Sequence, residues 1–300
     1  MEIFRLPFAA MASQCEIVLA ASDLARAQAL AALAIAEVAR IEHKYSRYRS
    51  DSIVAQINQA AGQSAVVCDE ETLALLQFAD DLYQHSDGLF DLTSGVLRQV
   101  WDFRQPRLPD PAALAQTLNL IGWQRVQRSG ERIYLPQAGM QLDFGGFGKE
   151  YAADRAADVL RQQGVQHGYV NLAGDFRILG PRPNGTPWQI GIQDPRQRER
   201  IIASIPVLQG ALTTSGDYER YFELDGQRYC HILDPRDGQP VQHWRCVTVL
   251  APLAIVAGGV CTITMLKQQQ GIDFLDASGY SYLAIDQQGR AHQAIRHQPA

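Results

Sequence analysis

Asp143, Gly145, Gly146, Gly148 and Lys149 lie close together in the chain, and their types point to chemistry on an anion. An apolar run from Met140 to Leu142 feeds an acidic residue, then three glycines within four positions, then a lysine that opens a helical pattern. Glycines let the backbone approach a ligand closely, and the free N–H groups of a helix start attract negative charge. Lys149 is poorly placed for the helix dipole, so a phosphate partner offsets an unfavourable location. Strand, glycine loop, helix and strand together suit a phosphate-bearing ligand; a tight turn that needs glycine for steric reasons alone is the competing reading. The segment is not a P-loop, because Glu150 rather than Ser or Thr follows Lys149, and its glycine spacing differs from the dinucleotide fingerprint. Asp154, favourably placed in the first turns of the helix, fits a structural role.

Such a loop must be held by a frame. Lys149 to Gln163 reads as the following helix, with Ala152, Ala156 and Leu160 on one face and Gly164 as its stop, and Gly168 to Leu172 reads as the next strand. Upstream, a long helix is expected from Leu24 to about Arg47, capped by Ser22 or Asp23. Ala34, Val38, Ile41, Tyr45 and Tyr48 keep a 4-3-4-3 stripe on it, which makes Tyr48 a core candidate. A second helix is expected from about Glu70 to His85, and a Pro-containing loop from Trp101 precedes a short helix ending near Asn119. Strands are expected at Ile133 to Leu135, Gly139 to Leu142, Phe176 to Leu179, Trp188 to Gln193, Ile201 to Leu208, Gly210 to Ser215, Tyr221 to Leu224 and Cys246 to Leu250. A late helix near Leu253 to Lys267 precedes a strand at Ser281 to Ile285. Long helices beside successive short strands imply an α+β protein with largely antiparallel sheets. No Gly/Ser/Pro linker divides the chain, so residues 1–300 are expected to form a single domain.

Composition narrows the classes. With 46% hydrophobic and 20% charged residues the chain can bury a sizeable core. A net charge of −5 argues against nucleic acid as partner. The apolar-rich stretch Leu24 to Ile41 carries Arg26, Glu37 and Arg40, so it reads as a helix and not a membrane span. Five cysteines without close pairs argue against a disulfide framework or a zinc site. Met1 to Ala10 has neither a signal-peptide pattern nor a lipoprotein-type cysteine, from which a cytoplasmic location is expected.

The glycine segment resembles the Asp-x-Gly-Gly-x-x-Lys-Gly-Tyr-x-x-Asp signature of the FAD:protein FMN transferases, the ApbE family. Further landmarks follow in family order: Met11-Ala12-Ser13 where Met-Gly-Thr is usual, Tyr45 to Ser52 with Asn58, and Asp87 to Thr93. After the glycine loop come Val170 to Asp175, Thr214 to Tyr218 and His231 to Gly238. The resemblance covers nearly the whole chain and implies an α+β, ApbE-like (T-fold-like) fold of mixed, largely antiparallel sheets with flanking helices. It implies FAD as substrate, Mg2+, an acceptor flavoprotein as partner, and transfer of FMN to a Ser or Thr hydroxyl with release of AMP.

By the same resemblance Met11, Tyr48, Leu89, Phe90 and Asp91 lie against the flavin nucleotide, Asp143 and Lys149 contact FAD, and Ile232 lies along the ligand. An aromatic ring and a thioether suit a planar ring system, and Asp91 can accept a hydrogen bond from a ribose or ring N–H. His231 is the candidate for assisting proton transfer when a hydroxyl attacks phosphorus. The metal is assigned to Gly146, Cys261 and Thr262. Here the chain departs from the pattern: Gly258 stands where the family has aspartate, and Glu150 stands where it usually has glycine. Glu150 is a candidate replacement ligand, and Gly258→Asp is expected to raise metal affinity. Gly258 also leaves open a FAD-binding or flavin-supplying protein without transferase activity; a metal-dependent FAD pyrophosphatase is a third reading.

Overall fold

Strands whose side chains alternate between two apolar environments build the centre of the molecule. The computed structural model describes residues 1–197 and 199–296; the remainder of the expected 1–300 domain lies outside the described residues. Eight strands form one antiparallel sheet in the spatial order Glu2–Ala10, Ser13–Ala21, Gly168–Leu172, Asp175–Gly180, Gly210–Gly216, Trp244–Ala251, Ser281–Asp286 and Ala291–Ala294. Ile17 and Leu19 face one apolar cluster while Val18 between them faces another; Tyr282 and Ala284 alternate with Leu283 and Ile285 in the same way. The two-residue repeat of a strand thus covers the sheet on both sides.

On one face pack the helices Leu24–Tyr45, Gly148–Gln162 and Ala254–Lys267. Ala27, Ala31 and Ala34 of the first and Ala152, Ala153, Ala156 and Ala157 of the second are all buried there, and small side chains permit close helix approach. Asp23 caps the first helix by accepting from Arg26 N at 2.9 Å. The hairpin Trp188–Gln193 and Ile201–Val207 covers the other face, with Trp188, Ile190 and Ile192 against Tyr169 and Ile178. A third cluster joins Trp101, Phe222 and Leu233 at the side.

Three expectations need correction. The first helix stops at Tyr45, so Tyr48 is outside its stripe and 82% exposed. Residues 139–142 form no strand. Instead the side chain of Asn58 holds the backbone of Leu142, donating to its carbonyl at 3.0 Å and accepting from its N–H at 2.6 Å. Third, a helix over Ile53–Gln59, capped by Ser52, and a strand over Gln227–Cys230 add to the expected elements. Among the described residues no helix is long and apolar enough to cross a membrane.

Candidate functional site

The glycine loop, the first turn of the helix Gly148–Gln162, the sheet end at Thr214–Gly216 and Thr262 of the late helix converge on one cavity of about 600 Å³. That volume suits a ligand of nucleotide size. Gly146 has a steric reason to be glycine, since a Cβ there would lie 2.8 Å from the ring of Phe90. Asp143 braces the loop by accepting from Gly145 N at 2.8 Å and from Arg47 Nη1 at 2.9 Å. No side chain caps the helix that follows, which leaves its first N–H groups for the cavity.

Lys149 points onto this cavity and meets Asp175 Oδ2 at 2.5 Å. The approach lacks hydrogen-bond geometry, so that oxygen has no hydrogen-bond partner among the described residues. The lysine side chain is about one-third exposed, opening onto the cavity. Burial lowers its pKa, yet the charges of Asp175 and Glu150 outweigh that and hold it above its ordinary value. Glu150 is 8% exposed, and its Oε2 is likewise unpaired among the described residues. Burial, then the nearby Asp175, raises its pKa. His231 completes the wall. Its Nδ1 has no hydrogen-bond partner among the described residues, and burial followed by the charges of Arg98 and Arg220 pushes its pKa down to about 3. The imidazole is therefore neutral at physiological pH.

Met11, Tyr48, Leu89, Phe90, Asp91, Asp143, Gly146, Lys149, His231, Ile232 and Thr262 all line the cavity. Their roles divide. Phe90 is stacked on Phe147 with centroids 6.2 Å apart. Tyr48 stands at the rim, its ring 5.9 Å from the Arg47 guanidinium. Asp91 is already satisfied: Oδ1 accepts from Thr93 N at 2.7 Å and Oδ2 from Trp123 N at 2.9 Å. It caps the turn Leu92–Gln99, so it shapes the wall instead of offering a free acceptor. Cys261 does not join the others. Its buried Sγ lies 3.5 Å from both the hydroxyl and the carbonyl of Thr213, turned into the sheet, and burial pushes its thiol up to about 12. Sequence reasoning gave no role to Arg98 and Arg220, which line the cavity without an ion pair among the described residues. Arg98 carried one readable signal, a guanidinium next to Val96 and Leu97 in a turn just after the Asp87 to Thr93 segment.

Asp154 fixes the site from behind. It accepts from Ala254 N and Ile255 N, both at 2.9 Å, and its Oδ1 lies 2.8 Å from Arg177 Nε, an approach too oblique for a hydrogen bond. One helix thereby caps the next, which carries Gly258 and Thr262.

The turn carrying Met11 is strained. Met11 and Ala12 sit at φ 51° and 56° between paired Ala10 and Ser13, a two-residue hairpin turn that favours glycine. Left-handed backbone costs a non-glycine residue about 1–2 kcal/mol, partly offset in any comparison by glycine's greater unfolded-state freedom. Ala12→Gly is therefore expected to raise stability by about 0.5–1 kcal/mol. Urea unfolding measures it; a lower midpoint would show an unstrained turn.

Comparison with known proteins agrees with this geometry. A model of the ApbE family matches residues 11–284. The FAD:protein FMN transferase of Klebsiella pneumoniae is 36% identical over 221 residues, 72% of this chain and 68% of that protein. The crystal structure of the ApbE protein of Thermotoga maritima matches with a TM-score of 0.90 at 30% identity, covering 98% of this chain and 97% of that one. The apo flavinyl transferase ApbE of Pseudomonas stutzeri matches with a TM-score of 0.83 at 30% identity, covering 97% and 93%. Loop, helix and sheet end occur together here because the chain belongs to the ApbE family.

Proposed function

We propose that this chain is a FAD:protein FMN transferase, moving the FMN part of FAD to a Ser or Thr hydroxyl of an acceptor flavoprotein and releasing AMP. The observation that carries the reading is the meeting, in one cavity, of Lys149 beside the glycine loop and a neutral His231 with an unpaired Nδ1. The acceptor hydroxyl attacks the phosphorus on the FMN side. The bond between that phosphorus and the bridging oxygen breaks, AMP leaves with the oxygen, and the hydroxyl proton passes to the imidazole of His231.

Phosphoryl transfer depends on positioning and charge neutralisation more than on covalent help from the protein. Lys149 binds phosphate, and Arg98 and Arg220 add positive charge to the same cavity. Phe90 and Met11 offer apolar surface to the isoalloxazine ring, while the Arg47–Asp143 pair holds the loop in place.

The donors present suit magnesium. Thr262 Oγ1 lies 3.5 Å from Ser215 Oγ, and the same cavity near Gly146 holds the buried carboxylates of Glu150, with Oε2 lacking a hydrogen bond, and of Asp175, ion-paired with Lys149. These are hard oxygen donors, and magnesium commonly combines one or two carboxylates with waters and substrate phosphates. When bound, the ion neutralises charge on the pyrophosphate.

All five cysteines are buried and unpaired, which supports a reducing compartment such as the cytoplasm. Incubation with FAD, Mg2+ and a flavoprotein acceptor tests the activity: covalent flavin that survives denaturation of the acceptor is expected. No covalent flavin with any divalent metal would count against it.

A further inference from the structure

We infer that Glu150 supplies a carboxylate ligand to the divalent cation of this site, occupying the space that the missing side chain at Gly258 leaves open. The inference rests on the magnesium reading above and assigns it a ligand. An ideal Cβ at Gly258 would lie 2.7 Å from Glu150 Cγ and 2.8 Å from Glu150 Oε1. Position 258 can therefore carry no side chain while Glu150 lies where it does. Glycine inside a helix costs about 0.5–1 kcal/mol relative to alanine, so the vacancy calls for a compensating use.

Glu150 provides that use. Its carboxylate is buried, lines the cavity, and leaves Oε2 unpaired among the described residues. Asp175, 2% exposed, faces the same cavity, and its Oδ2 is ion-paired with Lys149 without hydrogen-bond geometry. A buried unpaired carboxylate oxygen is unfavourable unless a partner arrives. Lys149 supplies one positive charge for the two acids. With both acids ionised one negative charge would be left over, and a cation sharing its shell with a bound phosphate would balance it. The hydroxyls of Thr262 and Ser215 line the same cavity and extend the oxygen set.

The same contacts revise the expectation for Gly258→Asp. Added alone, an aspartate side chain would collide with Glu150, so the single variant should melt lower and gain no metal. The carboxylate has to be moved, not added.

The test measures Mn2+ binding to the full chain, with and without FAD, by the electron paramagnetic resonance of free Mn2+. Wild type should bind Mn2+ weakly alone and more tightly with FAD. Glu150→Gln keeps the shape and removes the charge; it should lower Mn2+ affinity in the presence of FAD by about tenfold or more, equivalent to about 1.4 kcal/mol. The double variant Glu150→Gly with Gly258→Asp returns a carboxylate from the opposite helix and should recover most of that loss. Glu150→Gln with wild-type Mn2+ affinity would overturn the inference while leaving the magnesium reading intact, because a merely buried neutral acid is well imitated by glutamine. A double variant that melts like wild type yet recovers no Mn2+ binding would overturn the exchange of positions. Wild type that binds neither Mn2+ nor Mg2+ in the presence of FAD would sink both readings together.

Discussion

Replacing Asp154 by alanine is expected to remove about 3–5 kcal/mol of folding stability, the usual result of breaking a buried ion pair from one side. The carboxylate is 7% exposed and serves three groups at once: two N–H groups at the start of the helix Ala254–Lys267, and the guanidinium of Arg177. Without it Arg177 keeps, among the described residues, only the carbonyls of Gly210 and Ile178 as hydrogen-bond partners, and the helix start loses its cap from the neighbouring helix. Thr262 and Gly258 ride on that helix, so metal and FAD binding should weaken in the same variant. Denaturant unfolding followed by circular dichroism measures the loss. A change below about 1 kcal/mol would mean that the buried acid contributes no more than a surface pair.

The largest effect on ligand binding is expected from Lys149→Ala. Charged hydrogen bonds contribute about 1.5–3 kcal/mol, so FAD affinity should fall by about 10–100-fold. The variant also leaves Asp175 and Glu150 facing the cavity with no counter-charge from position 149, and both then repel the phosphates that Lys149 attracted. Melting temperature and FAD titration are measured together, to separate loss of fold from loss of ligand. Unchanged FAD affinity in a folded variant would reduce Lys149 to a counter-ion for Asp175.

What could be read from the sequence follows from how local each signal is. The helix Glu70–His85 and the strands Gly168–Leu172 and Trp188–Gln193 carry their period and their end signals within a few residues, and they appear where expected. Tyr48 was misplaced because its stripe continues in the sequence after the helix has ended at Tyr45. Residues 139–142 have the apolar character of a strand, but a side chain distant in sequence, Asn58, takes their hydrogen bonds. The strand Gln227–Cys230 was legible and went unused: Asp225-Gly226, both at positive φ, form the tight turn that pairs it with Tyr221–Leu224.

The site was legible in its residues more than in their relations. The glycine loop and Lys149 announced an anion, and His231 was visible through its surrounding pattern. That Asp91 is a cap, that the Cys261 thiol turns into the sheet, and that Glu150 fills the space at Gly258 are facts of packing between segments far apart in the chain. No periodicity encodes them.

The central claim is transfer, and the most direct measurement quantifies three products in one reaction with FAD, Mg2+ and an acceptor flavoprotein: AMP, free FMN, and flavin covalently attached to the acceptor. The account predicts AMP and attached flavin in equal amounts with little free FMN. AMP matched by free FMN, or FAD bound tightly with no AMP released, would contradict it.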